Sequence, residues 1–433
     1  MKNIAEKEVV HAEGLHFYYE SGEKYLPFGT TVYALMYQSE ERIEQTVRSI
    51  KEAHFNKIRM CVFPKYLVYN LEDPRWFPFE KVGEKWNFDE PCEAFWNRLD
   101  LLLKEFAQIG VQVDLILFHP YDRWGFSSLS YEECIKYLDY TVARLSVHPN
   151  IWWSLANEYD NLKNFDITWW EKFAKFIEEK DIKHHLLSNH NCLVYWDFDN
   201  PQTTHCCIQD ANVQLVPEYQ KRYQKPVVFD ECCYEGDVPY TWGNISGFEL
   251  VHRFWTAVVY GGYASHGETF WNEQEDLWWS KGGVLKGESP ERIAFLRELV
   301  ESFDAPIEYY EESHLKKQLT QLENLKLHPD KVDDMPGFAK NLVMKPCERI
   351  YSFIDGTRRC IGHVRDEVFL LYLGKQCTIE TTLYLPESES YTVEIIDIWN
   401  MTRVLAETEA KGETRISLPG KEGIAVLATK NRE

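Results

Sequence analysis

Two short apolar runs each end in a glutamate: Trp152-Trp153-Ser154-Leu155-Ala156-Asn157-Glu158 and Pro226-Val227-Val228-Phe229-Asp230-Glu231. Their length and apolar character are typical of buried strands. An acid at the carboxyl end of a buried strand is typical of a (β/α)8 barrel, which builds its active site from those ends. The two runs therefore predict an α/β barrel with a pair of carboxylates at its mouth.

Apolar strands alternate with amphipathic helices from about residue 25 to about residue 303, the pattern of βα units around a parallel sheet. Capping boxes at Ser130/Glu133, Thr168/Glu171 and Ser246/Glu249 predict three helix starts, and Ser289-Pro290 predicts a fourth. The fifth unit is the weakest, because an irregular aromatic stretch follows its strand. The predicted strands are Tyr25–Ala34, Lys57–Phe63, Val111–Phe118, Asn150–Asn157, His184–Ser188, Thr203–Gln209, Pro226–Asp230 and Tyr260–Trp271.

Beyond about residue 304 the helical periodicity ends and short β-rich runs follow, separated by turn signals such as Asp355-Gly356 and Pro419-Gly420. This change predicts a barrel domain over 1–303, a connecting segment over 304–345 and a small antiparallel β-sandwich over 346–433. The predicted strands of the sandwich are Arg349–Ile354, Val368–Leu373, Thr378–Leu385, Tyr391–Ile398 and Ile424–Ala428.

The net charge indicates which partners the protein can bind, and the cysteines indicate its cellular compartment. The formal net charge of -22 would repel nucleic acid and anionic membrane surfaces. The 11 cysteines show no CxxC spacing, and neither a signal peptide nor a membrane span is recognisable. The sequence therefore predicts a cytoplasmic protein with reduced thiols, a small neutral or cationic ligand, no metal and no cofactor, and it leaves a homo-oligomer open.

The positions of the two glutamates in the strand count predict their chemistry. Glu158 follows the fourth strand and Glu231 the seventh, so the two face each other across the mouth of an eight-stranded barrel. Two carboxyl groups roughly 5–5.5 Å apart suit a retaining, double-displacement hydrolysis of glycosides. One carboxylate attacks the sugar, and the other moves the proton.

The residues around these glutamates resemble the family 5 enzymes of the clan A glycoside hydrolases. The pair Asn157-Glu158 resembles the acid/base signature of the clan, and Glu231 lies where the clan has its nucleophile. By the same resemblance, Arg59 holds the nucleophile, His119 lines the sugar subsite and Trp271 is an aromatic platform. Each of these two roles has a structural alternative. Arg59 could form a salt bridge below the barrel, and His119 could be a buried core residue.

Three further stretches look similar to a bacterial group of glycosidases that pairs an apiosidase-like barrel with a C-terminal β domain of unknown role. They are Leu26–Thr31, His119–Gly125 and Asp230–Tyr234. The resemblance covers almost the whole chain and implies a retaining barrel enzyme. It does not name the sugar.

Four more residues are predicted to bind substrate. Glu268 would accept hydrogen bonds from sugar hydroxyls, Asp122 and Trp124 would contact the rim, and Tyr234 lies close to the nucleophile in sequence. Together with His119, three histidines suggest a metal barrel as an alternative, but the first strand has no His-x-His pair. They are His190, His205 and His266.

The sequence thus predicts a cofactor-free retaining glycosidase, with Glu231 as nucleophile and Glu158 as general acid/base, that acts on small oligosaccharides or glycosides. Two alternatives stay open. One is a non-catalytic sugar-binding barrel, and the other is a transglycosidase with the same residues. Ring form, anomer and linkage are set by loop geometry that sequence motifs do not encode.

Overall fold

The structure is a computed structural model, and it describes residues 8–274, 276–312 and 359–432. The chain forms two compact units, Met1–Pro306 and Ile307–Glu433. From position 313 onward the predicted connecting segment lies outside the described residues, and so does the predicted strand Arg349–Ile354.

The first unit contains a sheet of eight parallel strands. They are β1 (Gly29–Thr31), β2 (Lys57–Cys61), β3 (Gln112–Phe118), β4 (Ile151–Ala156), β5 (Leu187–Ser188), β6 (Cys206–Gln209), β7 (Val227–Glu231) and β8 (Tyr263–His266). Hydrogen bonds join them in the order β5, β4, β3, β2, β1, β8, β7, β6. An isolated parallel bridge between His190 and Cys207 joins the two ends of the sheet. The strands thus close into the predicted barrel.

Strands β1 and β8 are much shorter than predicted, and the reason is local. Lys24–Tyr25 pairs with an N-terminal antiparallel sheet before β1 begins. After β8, Glu268–Thr269 leaves the barrel and forms a two-stranded ribbon with Glu235–Gly236. Sequence analysis merged these separate elements into single long strands because they follow one another closely within largely buried stretches of the chain.

Helices follow most of the strands and cover the outside of the barrel. They are α1 (Glu40–Glu52), α2 (Glu93–Gln108), α3 (Tyr131–Leu145), α4 (Trp169–Lys180), α5 (Val216–Tyr223), α6 (Gly247–Val259) and α7 (Ser289–Glu301), with a short turn at Trp278–Lys281. Ser130 and Ser246 cap α3 and α6 as predicted, because each hydroxyl accepts a hydrogen bond from the backbone amide three residues later. The helix start predicted at Thr168 is confirmed, but the predicted capping hydrogen bond is not formed, since the hydroxyl donates to Asp166 at 2.8 Å instead. Ser289 is the first residue of α7 and not its cap.

Two features of the first unit lie outside the βα pattern. The N-terminal sheet, which sequence analysis missed, consists of Val10–Glu13, His16–Tyr19 and Lys24–Tyr25. Its fully buried Phe17 packs 5.0 Å from the ring of Trp152, near the amino end of β4. A second ribbon, Phe79–Val82 with Lys85–Pro91, lies between β2 and α2. No helix follows β5 in residues 189–205, as the irregular sequence there predicts.

The second unit is an antiparallel β domain. Its strands are β9 (Glu308–Tyr309), β10 (Cys360–Val364), β11 (Val368–Tyr372), β12 (Glu380–Tyr384), β13 (Tyr391–Asp397), β14 (Thr402–Ala410), β15 (Glu413–Ser417) and β16 (Ile424–Lys430). Six strands form one sheet in the order β9, β10, β11, β16, β13, β14, and β12 pairs with β15. Leu383 and Ile416 of the pair share a core with Phe369 and Val426 of the large sheet. This packing confirms the predicted antiparallel sandwich.

No helix among the described residues is both long enough and apolar enough to span a membrane.

Candidate active site

The carboxyl ends of the barrel strands bring four polar side chains together. Glu231 is the last residue of β7, Arg59 lies in β2, and Asn157 directly follows β4. Tyr33, two residues beyond β1, links all three. Three of these residues were predicted from the sequence, and Tyr33 was not.

The Glu231 carboxylate is held mainly through its Oε1 atom. The Nη1 atom of Arg59 donates to it at 3.0 Å, and the Tyr33 hydroxyl donates to it in a short hydrogen bond. The Nε2 atom of His190 lies 3.9 Å away. The Gln209 amide is oriented so that its nitrogen faces two acceptors, the carbonyl oxygen of Asn191 and the Glu231 carboxylate. It donates to the other oxygen of Glu231, Oε2, at 3.3 Å. This arrangement fixes the direction in which the carboxylate points.

Two opposing influences act on the charge of Glu231. Burial raises its pKa to about 8, and an interaction with Tyr234 lowers it by a smaller amount. The guanidinium of Arg59, at 3.0 Å and itself buried, stabilises the ionised carboxylate by Coulomb attraction. Arg59 therefore favours the ionised form of Glu231, which burial disfavours.

Glu158 has an unusual backbone conformation that sends its side chain toward the mouth of the barrel. Its φ of 54° and ψ of 57° lie in the left-handed region, which is uncommon for residues other than glycine and frequent at functional sites. The Tyr121 hydroxyl donates to its Oε2 atom, and so does Asn161 at 3.2 Å. Both donors are neutral, in contrast to the guanidinium on Glu231.

Tyr33 connects the two halves of the site. Its hydroxyl accepts a hydrogen bond from Arg59 at 3.0 Å and lies 3.1 Å from Oδ1 of Asn157. Because Asn157 precedes Glu158, Tyr33 ties the end of β4 to the carboxylate on β7. The predicted residues Arg59, Asn157 and Glu231 therefore belong to one hydrogen-bonded group.

His119 is fully buried beside the ring of Phe63, with their centroids 4.1 Å apart. Its Nε2 atom lies 3.2 Å from the Phe63 carbonyl oxygen, and burial lowers its pKa to about 3. The histidine is therefore neutral at ordinary pH. The structure places it in a packed aromatic layer and shows no contact with either glutamate.

Asp122 organises the loop after β3. Its two carboxylate oxygens accept hydrogen bonds from the backbone amides of Trp124, Gly125 and Ser127. The half-buried Trp124 donates from its indole nitrogen to Asp73 at 2.9 Å. Asp122 thus shapes the loop that presents Trp124.

Glu268 has both oxygens occupied by backbone amides. Lys286 donates at 2.8 Å and Gly287 at 3.0 Å, and the side chain is almost completely buried. These contacts anchor the loop before α7. Of the two remaining predicted residues, Tyr234 is buried and packs edge to face against Trp242, whereas the side chain of Trp271 is 52% exposed.

A buried group of charges lies on β2, β3 and β7, within the barrel. The Nζ atom of Lys57 lies 2.9 Å from Asp114 and 2.6 Å from Asp230, the residue before Glu231. Burial opposes ionisation of Asp230, but the charges of Lys57 and Arg59, together with hydrogen bonds from Lys57 and Cys207, outweigh burial and lower the pKa of that carboxyl. This ion group ties three strands together directly beside Glu231.

Sequence analysis missed several polar residues of the site because no recognisable motif marks them. All of them end a barrel strand or follow one within a few positions, which is the signal that identifies them. They are Tyr33, Lys65, Tyr121 and Gln209, and His190 was considered only as a metal ligand. Among the residues that the structure describes, no group of three or more His, Cys, Asp or Glu side chains is arranged to hold a metal ion.

Comparisons with known proteins show the family and the fold of this chain. Residues 11–304 match the family described as the apiosidase-like catalytic domain, and residues 358–429 match a domain of unknown function, DUF5605. A protein of Bacteroides vulgatus ATCC 8482, provisionally assigned as a glycoside hydrolase, is 30% identical with a TM-score of 0.83, over 100% of this chain and 83% of that one. Proteins of curated function give no match.

A second Bacteroides vulgatus protein, a glycoside hydrolase of family 5, shares the fold at 15% identity. Its TM-score is 0.69, over 99% of this chain and 93% of that one. The family match alone covers more than half of the chain. The chain belongs to the family with an apiosidase-like catalytic domain, and it is a glycosidase.

Proposed function

We propose that this glycosidase retains the anomeric configuration and acts on small oligosaccharides or glycosides, with Glu231 as nucleophile and Glu158 as general acid/base. The observation that carries the proposal is the difference between the two carboxyl groups. Glu231 is bound by the Arg59 guanidinium, whereas the donors on Glu158 are neutral. A nucleophile must be ionised, and an acid must hold a proton.

In the first step, an oxygen of Glu231 forms a bond to the anomeric carbon of the sugar. The bond from that carbon to the leaving-group oxygen breaks, and Glu158 gives its proton to that oxygen. Tyr121 and Asn161 both bind the Oε2 atom of Glu158. The Oε1 atom is thus the one available to the leaving group.

In the second step, Glu158 takes a proton from water, and the water oxygen attacks the anomeric carbon. The bond between the sugar and Glu231 breaks, and the carboxylate returns to Arg59 and Tyr33. Two inversions at one carbon give net retention of configuration.

The proposed substrate is a small carbohydrate in the cytoplasm. Ten cysteines lie in the described part of the chain, and all ten are free thiols, which supports a reducing compartment. A chain in that compartment meets imported glycosides rather than extracellular polymers. This part of the proposal rests on location and not on a residue that recognises one sugar.

Covalent trapping tests the mechanism. We expect a 2-deoxy-2-fluoro glycoside of the sugar that the enzyme releases to add one sugar mass to the protein, and peptide mapping to place it on Glu231. Glu231→Gln is the matched control and should take up no label. Label on another residue, or continued turnover by Glu231→Gln, would contradict the assignment.

A further inference from the structure

Lys65 lies in the loop after β2, and its ammonium is enclosed by three aromatic rings. The Nζ atom is 3.6 Å from the ring centroid of Tyr33, 4.2 Å from that of Trp279 and 4.7 Å from that of Tyr121. The residue is 2% exposed. All three distances are within the range of cation–π attraction.

The ammonium has no carboxylate partner within 4.0 Å in the part of the chain that the structure describes, and no hydrogen-bond acceptor there. The other buried lysine of the barrel, Lys57, contacts two aspartates at 2.6 and 2.9 Å, and they raise its pKa against the effect of burial. Burial lowers the pKa of Lys65 to about 8. The two lysines are thus stabilised in different ways, and Lys65 depends on the rings.

Two of the three rings belong to the tyrosines that bind the two glutamates. Tyr33 donates to Glu231, and Tyr121 donates to Glu158. The third ring is fixed to the same group, since the backbone amide of Tyr33 donates to the carbonyl of Trp279 at 3.0 Å. One ammonium therefore touches the hydrogen-bond donors of both carboxyl groups.

We propose that Lys65 is a positioning residue that couples the hydrogen bonds on the two catalytic glutamates through the ring faces of Tyr33 and Tyr121. A positive charge on the face of a phenol withdraws electron density, so the hydroxyl becomes a stronger donor. The same attraction holds both rings in place. This inference rests on the proposed roles of Glu158 and Glu231.

The charge on Lys65 is set by the groups around it. Burial disfavours the charged form, Cys61 and Glu158 favour it, and Arg59 opposes it. As the pH rises through about 8, the ammonium loses its proton and the attraction to both rings is lost. The two tyrosines should therefore respond to one titration.

Fluorine NMR of protein labelled with 3-fluorotyrosine tests the coupling and requires no activity assay. Tyr33→Phe and Tyr121→Phe assign the two signals. In otherwise unchanged protein, both signals should show a common transition near pH 8. Lys65→Met should abolish it, and Lys172→Met, which removes an exposed lysine 5.5 Å from the ring of Tyr131, should leave it intact. Two unrelated transitions, or none, would overturn the proposal, even if Lys65→Met failed to fold.

Kinetics give the second readout. In Lys65→Met, loss of the cation–π contacts with Tyr33 and Tyr121 should lower kcat about tenfold with little change in KM. The acidic limb of the pH profile should move to higher pH. A rise in KM alone, with the limb unmoved, would make Lys65 a substrate contact and refute the coupling. If the unchanged protein hydrolyses no glycoside, the proposed function fails, and the NMR titration still decides this inference.

Discussion

Replacing Arg59 by methionine is expected to move the acidic limb of the pH–rate profile to higher pH. Arg59 is buried, and its Nη1 atom lies 3.0 Å from the Glu231 carboxylate. Methionine fills a similar space without the charge. Loss of the positive charge removes a stabilisation of the ionised form of Glu231, and the proposed nucleophile must be ionised to attack.

The size of the effect follows from the environment of Glu231. Burial raises its pKa from 4.5 to about 8, which corresponds to about 5 kcal/mol in favour of the protonated form. An adjacent opposite charge lowers a carboxyl pKa by about 1 to 3 units. Because the pKa of about 8 applies with Arg59 in place, removing Arg59 should raise it further by about that amount, and kcat/KM at pH 6 should fall about tenfold to a thousandfold.

The assay is kcat/KM against pH for the unchanged enzyme, Arg59→Met and Arg59→Lys. Activity of Arg59→Met should recover only as the pH rises beyond about 8, and Arg59→Lys should be intermediate, since it keeps a charge. Arg48→Met, on the exposed face of α1, is the matched control. An acidic limb that stays in place in Arg59→Met would refute the reasoning.

Three further predictions concern stability. Glu268→Gln should lower the free energy of unfolding by about 1–3 kcal/mol with KM unchanged, because its carboxylate binds backbone amides; a higher KM at unchanged stability would indicate a sugar contact. Burial lowers the pKa of His16 to about 4 and of His119 and His205 to about 3. The free energy of unfolding should therefore be highest above pH 6.5 and should fall by about 2 kcal/mol per histidine at pH 5. Equal urea midpoints at pH 7 and pH 5 would contradict this. Lys57→Met should cost about 3–5 kcal/mol in thermal or urea unfolding, since it leaves two buried aspartates unpaired; a smaller loss means that they are protonated together.

The fold was predictable because its signals are local. The longer barrel strands β3, β4 and β7 are buried runs rich in apolar residues, and the helices carry periodic apolar faces and, at Ser130 and Ser246, capping hydroxyls. Strand ends were less predictable. The apolar stretch around β8 runs into residues that pair with Glu235–Gly236 instead, and only the tertiary structure separates the two elements.

The candidate site was predictable where an acid ends a strand or an arginine lies within one, and not where a tyrosine completes the site. Arg59 donates a hydrogen bond to Glu231, which the sequence predicts. Tyr33 and Tyr121, in contrast, look like core aromatic residues in the sequence. The reverse holds for Glu268. Its position at a strand end suggests a ligand, yet it binds backbone amides, because a carboxylate serves either purpose equally well.

The most direct test of the central claim is azide rescue on a panel of nitrophenyl glycosides. The panel covers β-gluco, β-galacto, β-manno, β-xylo and α-arabinofuranosyl sugars, with the unchanged enzyme, Glu158→Ala and Glu231→Ala. Azide should restore turnover to both variants, giving a glycosyl azide of the substrate's anomer with Glu158→Ala and of the opposite anomer with Glu231→Ala. Full hydrolysis by Glu231→Ala, or inversion by the unchanged enzyme, would contradict the two-glutamate mechanism.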